Sequence, residues 1–237
     1  MASDPFGRAI RDHYLGEREE SLVDRDGEET RTHAIDRWYF GEYEADDWFE
    51  SWLDGPLLDM GAGVGRDSLH FQGQFETVAI EVSEPLVETM RDRGVDDARL
   101  ADIFSLRDHF ERDRFRSAIS NGTQMGLAGS MAGVRQFLGD LAFVTTPDAT
   151  AILDNYAPEK EATTDAFAYR DDPASGLAYR VFHCEYEGAV GRTLLFRLFS
   201  TDRLREATVG TSWEVAGVRY GPEDAPNQWV AALEKAR

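Results

Sequence analysis

A cluster of glycines between an apolar run and a helical pattern constrains the fold of this chain more than any other feature. The segment Asp59–Gly65 reads Asp-Met-Gly-Ala-Gly-Val-Gly and overlaps the end of the apolar run Leu57–Met60. Glycines in such a turn let the backbone approach a ligand closely, and the helix that follows begins with free N–H groups. The segment therefore predicts a nucleotide-binding turn between a strand and a helix.

The spacing of these glycines excludes two common nucleotide loops. The dinucleotide fingerprint Gly-x-Gly-x-x-Gly requires a glycine at position 66, but this chain has Arg66 there. A phosphate loop of the Walker type requires Gly-Lys-Ser/Thr, whereas Lys160 and Lys235, the two lysines of the chain, each follow a glutamate. NAD-dependent chemistry and phosphoryl transfer by that loop are therefore not expected.

Apolar runs alternate with helical patterns from residue 57 onward, which is typical of βαβ units and a mostly parallel sheet. Strands are predicted at Leu57–Met60, Thr77–Val82, Ala98–Ala101, Phe115–Ser120 and Ala149–Asp154. Helices are predicted at Val64–Phe71, Ser83–Met90 and Met131–Leu141. Ser83 has the residue type and position of an N-cap.

Beyond the fifth strand the pattern changes to alternating polar and apolar residues, which predicts an antiparallel pair at Leu177–Tyr186 and Arg192–Phe199. A helix capped by Thr201 and two closing strands at Ser212–Val218 and Gln228–Leu233 end the chain. The predicted fold class is α/β. It is a Rossmann-like, doubly wound, mostly parallel sheet of seven strands with helices on both faces, plus an antiparallel strand pair inserted after strand five.

The composition restricts the class of protein. Its 237 residues suffice for one substantial core, and no apolar stretch approaches the roughly 18 residues of a membrane span. The amino terminus carries charges where an export signal would be apolar, and a single cysteine, Cys184, excludes an internal disulfide and a cysteine-rich metal cage. We expect one cytoplasmic domain over residues 1–237 and no metal site.

The net charge of −20, from 45 acidic and 25 basic residues, would destabilise a compact fold in dilute buffer by self-repulsion. Arginine supplies nearly all the positive charge, and the acids are spread along the whole chain. This composition is similar to that of proteins from salt-accumulating halophiles, whose medium screens such repulsion. The alternative is an acidic surface for a basic partner. The charge also argues against a nucleic-acid partner, because phosphate binding requires clustered lysine and arginine.

The acidic-x-Gly-x-Gly-x-Gly pattern resembles motif I of the class I S-adenosylmethionine-dependent methyltransferases. The resemblance continues in order through Glu81 at the end of the second strand and through Asp102 and Ile103 after the third. It covers roughly residues 50–155, and the closing strand pair is consistent with it. The resemblance implies that S-adenosylmethionine is the cofactor, with Glu81 on the ribose hydroxyls, Asp102 on the adenine amine and Ile103 beside the ring.

The resemblance also implies the remaining cofactor contacts. The full set of candidate cofactor-binding residues is Asp59, Gly61, Ala62, Gly63, Gly65, Glu81, Val82, Asp102, Ile103, Asn121 and Gly122. Each carboxylate has a structural alternative: Asp59 satisfying loop N–H groups, Glu81 at an exposed strand end, Asp102 capping a helix. Arg66 and Asp67 are expected to be surface residues of the first helical turn.

The segment after the fourth strand, Ser120–Leu127, lacks the Asn/Asp-Pro-Pro-aromatic sequence of enzymes that methylate nucleobase amines. It resembles the small-molecule methyltransferases, and Gln124 is a candidate substrate contact. The aromatic residues of 34–53 are predicted to lie in a helical segment over the sheet, with Trp38 and Tyr39 beside the sulfonium or simply packing on the core.

The resemblance divides the domain into a helical cap (1–53), a cofactor-binding core (54–154), a substrate-covering insertion (155–200) and closing elements (201–237). No dedicated catalytic residue is required, because the cofactor is already activated; Tyr156 and His183 are candidate general bases if the acceptor is a hydroxyl. A protein-directed methyltransferase and a regulatory protein that binds the cofactor without catalysis remain alternatives.

Overall fold

The computed structural model describes residues 4–160, 163, 169–221 and 227–236. The strands are β1 (Val23–Asp26), β2 (Glu29–Thr32), β3 (Leu57–Met60), β4 (Thr77–Glu81), β5 (Ala98–Leu100), β6 (Phe115–Ser120), β7 (Thr145–Tyr156), β8 (Arg170–Asp171), β9 (Leu177–Tyr186), β10 (Ala189–Val190), β11 (Leu194–Phe199), β12 (Trp213–Tyr220) and β13 (Gln228–Lys235). The helices are α1 (Pro5–Leu15), α2 (Ile35–Tyr39), α3 (Asp47–Glu50), α4 (Arg66–Phe71), α5 (Glu84–Arg93), α6 (Leu106–His109), α7 (Met131–Val144) and α8 (Thr201–Thr208). Short 3-10 turns span Ile103–Ser105 and Gln124–Ala128.

The central sheet has seven strands in the order β12-β13-β7-β6-β3-β4-β5. Strands β3 to β7 run parallel to one another, while β13 is antiparallel to both β7 and β12. The predicted fold class is confirmed. Because the chain runs from β3 to β5 on one side and then returns to β6 on the other, the carboxyl ends of β3 and β6 flank a crevice where α/β sheets bind ligands.

A second, antiparallel sheet lies beside the first and contains the predicted inserted pair, β9 and β11. Its other members include β1 and β2, so the amino-terminal cap is not wholly helical as predicted: residues 23–32 form a hairpin that pairs with β9. The hairpin turns at Gly27, whose φ is +62°. Its strands read Val-Asp-Arg-Asp and Glu-Thr-Arg-Thr, and so many charged residues hide the alternation by which strands are recognised.

Helix boundaries follow their capping residues. The Ser83 hydroxyl accepts a hydrogen bond from the backbone N–H of Leu86 at 3.4 Å, as the predicted N-cap should. The cap of α8 is Ser200 rather than the predicted Thr201, because the Ser200 hydroxyl accepts from the backbone N–H of Arg203. The aromatic-rich segment 34–53, predicted to be helical, contains only the two short helices α2 and α3.

Two buried tryptophans attach the closing strands to the rest of the core. The indole N–H of Trp213 donates to the Leu138 carbonyl on α7, and that of Trp229 donates to the Phe199 carbonyl at the end of β11, each at 3.0 Å. Both side chains are almost fully buried, so each combines a large apolar contact with a satisfied donor. The second sheet is thereby joined to the central one. None of the helices in the described ranges has the length and apolar character needed to cross a bilayer.

Candidate functional site

The loop after β3 has a backbone that glycine alone accommodates without strain. Gly61 and Gly63 have φ values of +71° and +59°, a region that costs other residues about 1–2 kcal/mol. A methyl group at Gly61 would lie 2.7 Å from Cγ of Gln124, and one at Gly63 would lie 3.5 Å from the ring of Tyr39. The loop is therefore in direct contact with two of the residues predicted to bind substrate.

Backbone N–H groups of this loop are used within the protein. Gly61 and Ala62 both donate to the Ile80 carbonyl, at 2.9 and 3.1 Å, and Gly63 donates to Oε2 of Glu81 at 3.2 Å. These three loop N–H groups are therefore not free for an anion, and the helix whose first N–H groups were expected to be free begins later, at Arg66. A phosphate needs such donors, whereas an uncharged sugar or a cationic sulfonium does not.

Glu81 lies at the carboxyl end of β4 with only 9% of its surface exposed. Its Oε1 accepts from the Val82 backbone N–H at 2.8 Å, and its Oε2 accepts from Gly63. Burial raises the pKa of the Glu81 carboxyl, and the hydrogen bonds from backbone N–H groups oppose that rise. The alternative of an exposed strand end is excluded by this burial.

Asp102 follows β5 and is exposed to solvent. Its Oδ1 accepts from the Phe104 backbone N–H at 2.9 Å, so the aspartate caps the 3-10 turn, which was its structural alternative. Ile103, beside it, is buried. A capping carboxylate keeps acceptor capacity on its second oxygen, so the cap is compatible with a ligand contact.

One cavity of about 350 Å³ joins these residues at the carboxyl edge of the sheet. This size is within the usual range of small-molecule sites. The lining contains six predicted site residues: Gly61, Glu81, Val82, Asp102, Ile103 and Gln124. Val82 and Leu195, which also lines the cavity, are 51% and 43% exposed, so the walls present apolar surface to a ligand.

Asp59 is buried beneath the loop rather than in the cavity lining. Its Oδ2 accepts a hydrogen bond from the Ser68 hydroxyl at 2.5 Å. Burial, reinforced by the negative charge of Asp67, raises the pKa of the Asp59 carboxyl to about 7. The aspartate therefore links the end of β3 to α4, the helix that follows the glycine loop.

Asn121 and Gly122, after β6, also lie outside the cavity lining. The Asn121 side chain donates to Oδ2 of Asp67 at 2.9 Å, and Asp67 also pairs with Arg66 at 2.8 Å. Asp67 is buried, which differs from the expected surface position, because it links the start of α4 to the end of β6. This link holds the two sides of the crevice together.

The three residues predicted to contact substrate lie in different environments. Tyr39 covers the loop at Gly63, and burial together with the nearby Glu81 raises the pKa of its hydroxyl. Trp38 is 46% exposed and packs edge-on against His33 at 5.3 Å. Gln124 lies over Gly61 and lines the cavity itself.

The two candidate bases lie away from the described cavity. His183 is on β9 in the second sheet, where its Nε2 is 3.0 Å from Oε1 of Glu185. Tyr156 ends β7, and burial and the neighbouring Asp154 raise the pKa of its hydroxyl. Neither is among the residues that line the cavity.

Several lining residues were not predicted from the sequence. They are Phe104, Leu127, Gly129, Arg192, Thr193, Leu194 and Leu195. The last four lie at the start of β11 and just before it, so the inserted sheet forms one wall of the cavity. The insertion was expected to cover the substrate, but no sequence pattern indicated which of its residues would line the cavity beside Glu81.

Comparison with known proteins places the fold. No protein-family model and no curated protein sequence matches the chain. A solved SAM-dependent methyltransferase from Bacteroides fragilis, in complex with S-adenosyl-L-homocysteine, superposes with a TM-score of 0.80 at 21% identity, over 99% of this chain and 95% of that chain. A SAM-dependent methyltransferase from Methanosarcina mazei gives 0.63 at 13% identity, over 81% and 99%.

A third structure is the 1,6-didemethyltoxoflavin-N1-methyltransferase of Burkholderia thailandensis, with bound 1,6-didemethyltoxoflavin and S-adenosylhomocysteine. It gives a TM-score of 0.53 at 19% identity, over 76% of this chain and 71% of that chain. The similarity to the Bacteroides fragilis structure extends over nearly the whole of both chains, including the second sheet. The chain therefore has the fold of the class I S-adenosylmethionine-dependent methyltransferases.

Proposed function

We propose that this protein is an enzyme that transfers a methyl group from S-adenosylmethionine to a small-molecule acceptor. One observation carries the proposal: a single cavity at the carboxyl edge of the sheet is lined by Gly61, Glu81 and Asp102 together. These are the residues that the family resemblance assigns to the cofactor. The fold similarity described above supports the same conclusion.

The acceptor capacity of the two carboxylates fits a nucleoside. A carboxylate has about four lone-pair positions, and the bonds from Val82 and Gly63 take one on each oxygen of Glu81, so both oxygens keep acceptor capacity for ribose hydroxyls. Asp102 retains an oxygen for the adenine amine. The apolar surfaces of Val82 and Leu195 fit the faces of the ring.

When bound, S-adenosylmethionine supplies a methyl group that its sulfonium already activates. The contribution of this chain is then to position the acceptor in line with that methyl group, an effect that can lower a barrier by about 7–11 kcal/mol. Tyr39, at the end of α2, has its ring against the glycine loop at Gly63 and is our candidate to border the reacting centre. Such a transfer needs no nucleophilic side chain.

The acceptor site is assigned to the space covered by the amino-terminal segment and the second sheet. The Burkholderia thailandensis neighbour was solved with bound 1,6-didemethyltoxoflavin, which supports a small-molecule acceptor for this chain. The net charge of −20 disfavours nucleic acid. We also propose a cytoplasmic location in a salt-accumulating cell, on the basis of the charge and the single cysteine.

Calorimetry and a transfer assay test this function. We expect S-adenosylmethionine and S-adenosylhomocysteine to bind with a stoichiometry of one and NAD not to bind. Incubation with the labelled methyl donor in cell extract at molar KCl should then label a small molecule. Tighter binding of NAD would overturn the cofactor assignment. Cofactor binding without any labelled product would favour the non-catalytic regulatory protein, and labelled protein would favour a protein-directed enzyme.

A further inference from the structure

Three side chains with different ligand atoms converge on the inner face of the second sheet. Oδ1 of Asp24 is 2.6 Å from Nε2 of His33 and 3.3 Å from Sγ of Cys184. One ligand atom from each residue lies within 4.8 Å of the others. Asp24 and Cys184 are buried, and 12% of the His33 side chain is exposed. These residues are separate from the cavity described above.

Strand pairing fixes this arrangement. Asp24 on β1 lies directly opposite Cys184 on β9 in the antiparallel register. The backbone N–H of His33, one residue past β2, donates to the Leu22 carbonyl at 3.0 Å, which places the histidine beside the same strand. The cluster therefore does not depend on flexible loops for its geometry.

A fourth residue, Arg180, bonds the other oxygen of the same carboxylate. Its guanidinium donates to Oδ2 of Asp24 and lies 3.8 Å over the Phe182 ring. This contact orients Asp24 so that Oδ1 faces His33 and Cys184, as outer hydrogen bonds do for metal-ligating carboxylates. Two buried atoms of the cluster, Nδ1 of His33 and Nε of Arg180, have no hydrogen-bond partner among the described residues.

We propose that Asp24, His33 and Cys184 bind a divalent transition metal of the zinc type. Sulfur, imidazole nitrogen and carboxylate oxygen are the three ligand classes that zinc takes in proteins, and three protein ligands leave a fourth position for water. The metal takes the place of the hydrogen-bonding protons between the three atoms. The thiol proton leaves to solvent, and the imidazole proton moves to the ring nitrogen that does not bind the metal.

The site would join the amino-terminal hairpin to the inserted strands. Its three ligands come from β1, the residue after β2 and β9. The Phe6 ring packs edge-on against both His33 and Tyr39, with centroids 5.8 Å apart in each case. Metal binding therefore stabilises the segments that cover the glycine loop on the Tyr39 side.

Cobalt titration tests the proposal on the unmodified chain. The tag-free full-length protein is titrated with Co²⁺ and then with competing Zn²⁺. We expect a thiolate-to-cobalt charge-transfer band that saturates at one equivalent and is abolished by Zn²⁺. Since Cys184 is the single cysteine, the band identifies its ligand.

Three variants complete the experiment. Cys184→Ser should abolish the band, and His33→Gln should weaken Co²⁺ affinity by about 100-fold or more, whereas His183→Gln, on the same strand outside the cluster, should leave the affinity within about twofold. Absence of the band from folded wild-type protein at saturating Co²⁺ would overturn the proposal, as would unchanged affinity in folded His33→Gln. S-adenosylhomocysteine binding, measured in parallel, distinguishes this result from failure of the proposed function.

Discussion

Substitution of Glu81 by glutamine tests the cofactor site at the buried carboxylate of the cavity lining. Glutamine retains the side-chain length but presents one carbonyl oxygen where the carboxylate presents two. One ribose hydroxyl therefore loses a hydrogen bond to a charged acceptor, which contributes about 1.5–3 kcal/mol. The dissociation constant of S-adenosylhomocysteine should rise by about 10- to 150-fold. Because Glu81 is 9% exposed, solvent screening does not reduce this estimate much.

Calorimetry measures this effect, and two controls separate it from loss of structure. Glu84→Gln removes the same charge three residues away at an exposed position and should leave affinity within about twofold. Glutamine also disturbs the bonds from Gly63 and Val82, so the 2′-deoxy analogue of S-adenosylhomocysteine is compared in both proteins. The wild type should discriminate against the analogue and Glu81→Gln should do so less. Unchanged affinity in a folded Glu81→Gln protein would show that Glu81 does not bind the ribose.

Three further predictions concern the loop, the buried acid and the charge. Gly61→Ala should lose about 1–2 kcal/mol of unfolding free energy, measured by denaturation, and should also lose cofactor affinity, measured by calorimetry. Gly188→Ala, at a glycine with the same φ of +71° and no atom within 4 Å of the added Cβ, should lose stability but keep its affinity. Equal cofactor affinities in the two variants would count against a role of the loop in binding. Folding raises the pKa of Asp59 from 3.8 to about 7, so between these pH values the folded protein binds more protons than the unfolded chain, and wild-type stability falls as pH rises. Urea denaturation should therefore show the stability of Asp59→Asn rising relative to wild type by up to about 1.4 kcal/mol per pH unit over this range. A stability difference that does not change with pH would disprove the raised pKa. The melting temperature should rise between dilute and molar KCl, by about 2–4 °C for each kcal/mol of relieved repulsion, and no rise would remove the halophile hypothesis.

The central sheet was predictable because its signals are local. Buried parallel strands such as Leu57–Met60 and Thr77–Glu81 are short segments in which most residues are apolar, and Gly61 and Gly63 mark the turn through their backbone requirements. The family motif then located Glu81 and Asp102 by their order along the chain. Their common cavity follows from parallel strands ending at one edge of a sheet.

The second sheet and the roles it gives its residues were not predictable in the same way. Asp24 and Cys184 are 160 positions apart in the sequence and become neighbours because β1 pairs with β9. No short-range sequence pattern indicates the register of that pair. His33 has no distinguishing context in the sequence, yet folding places its ring beside a buried carboxylate. Arg192 was assigned to a strand, while the structure starts β11 at Leu194 and places Arg192 in the cavity wall.

A crystal structure of the protein with S-adenosylhomocysteine would show whether Glu81 binds the ribose. We expect the ribose hydroxyls to lie within hydrogen-bond distance of the Glu81 carboxylate, with the adenine between Ile103 and the wall formed by Leu195. The amino-acid end should then run over Gly61 towards Tyr39. A ligand bound elsewhere on the chain, or a sugar that makes no contact with Glu81, would show that this cavity is not the cofactor site.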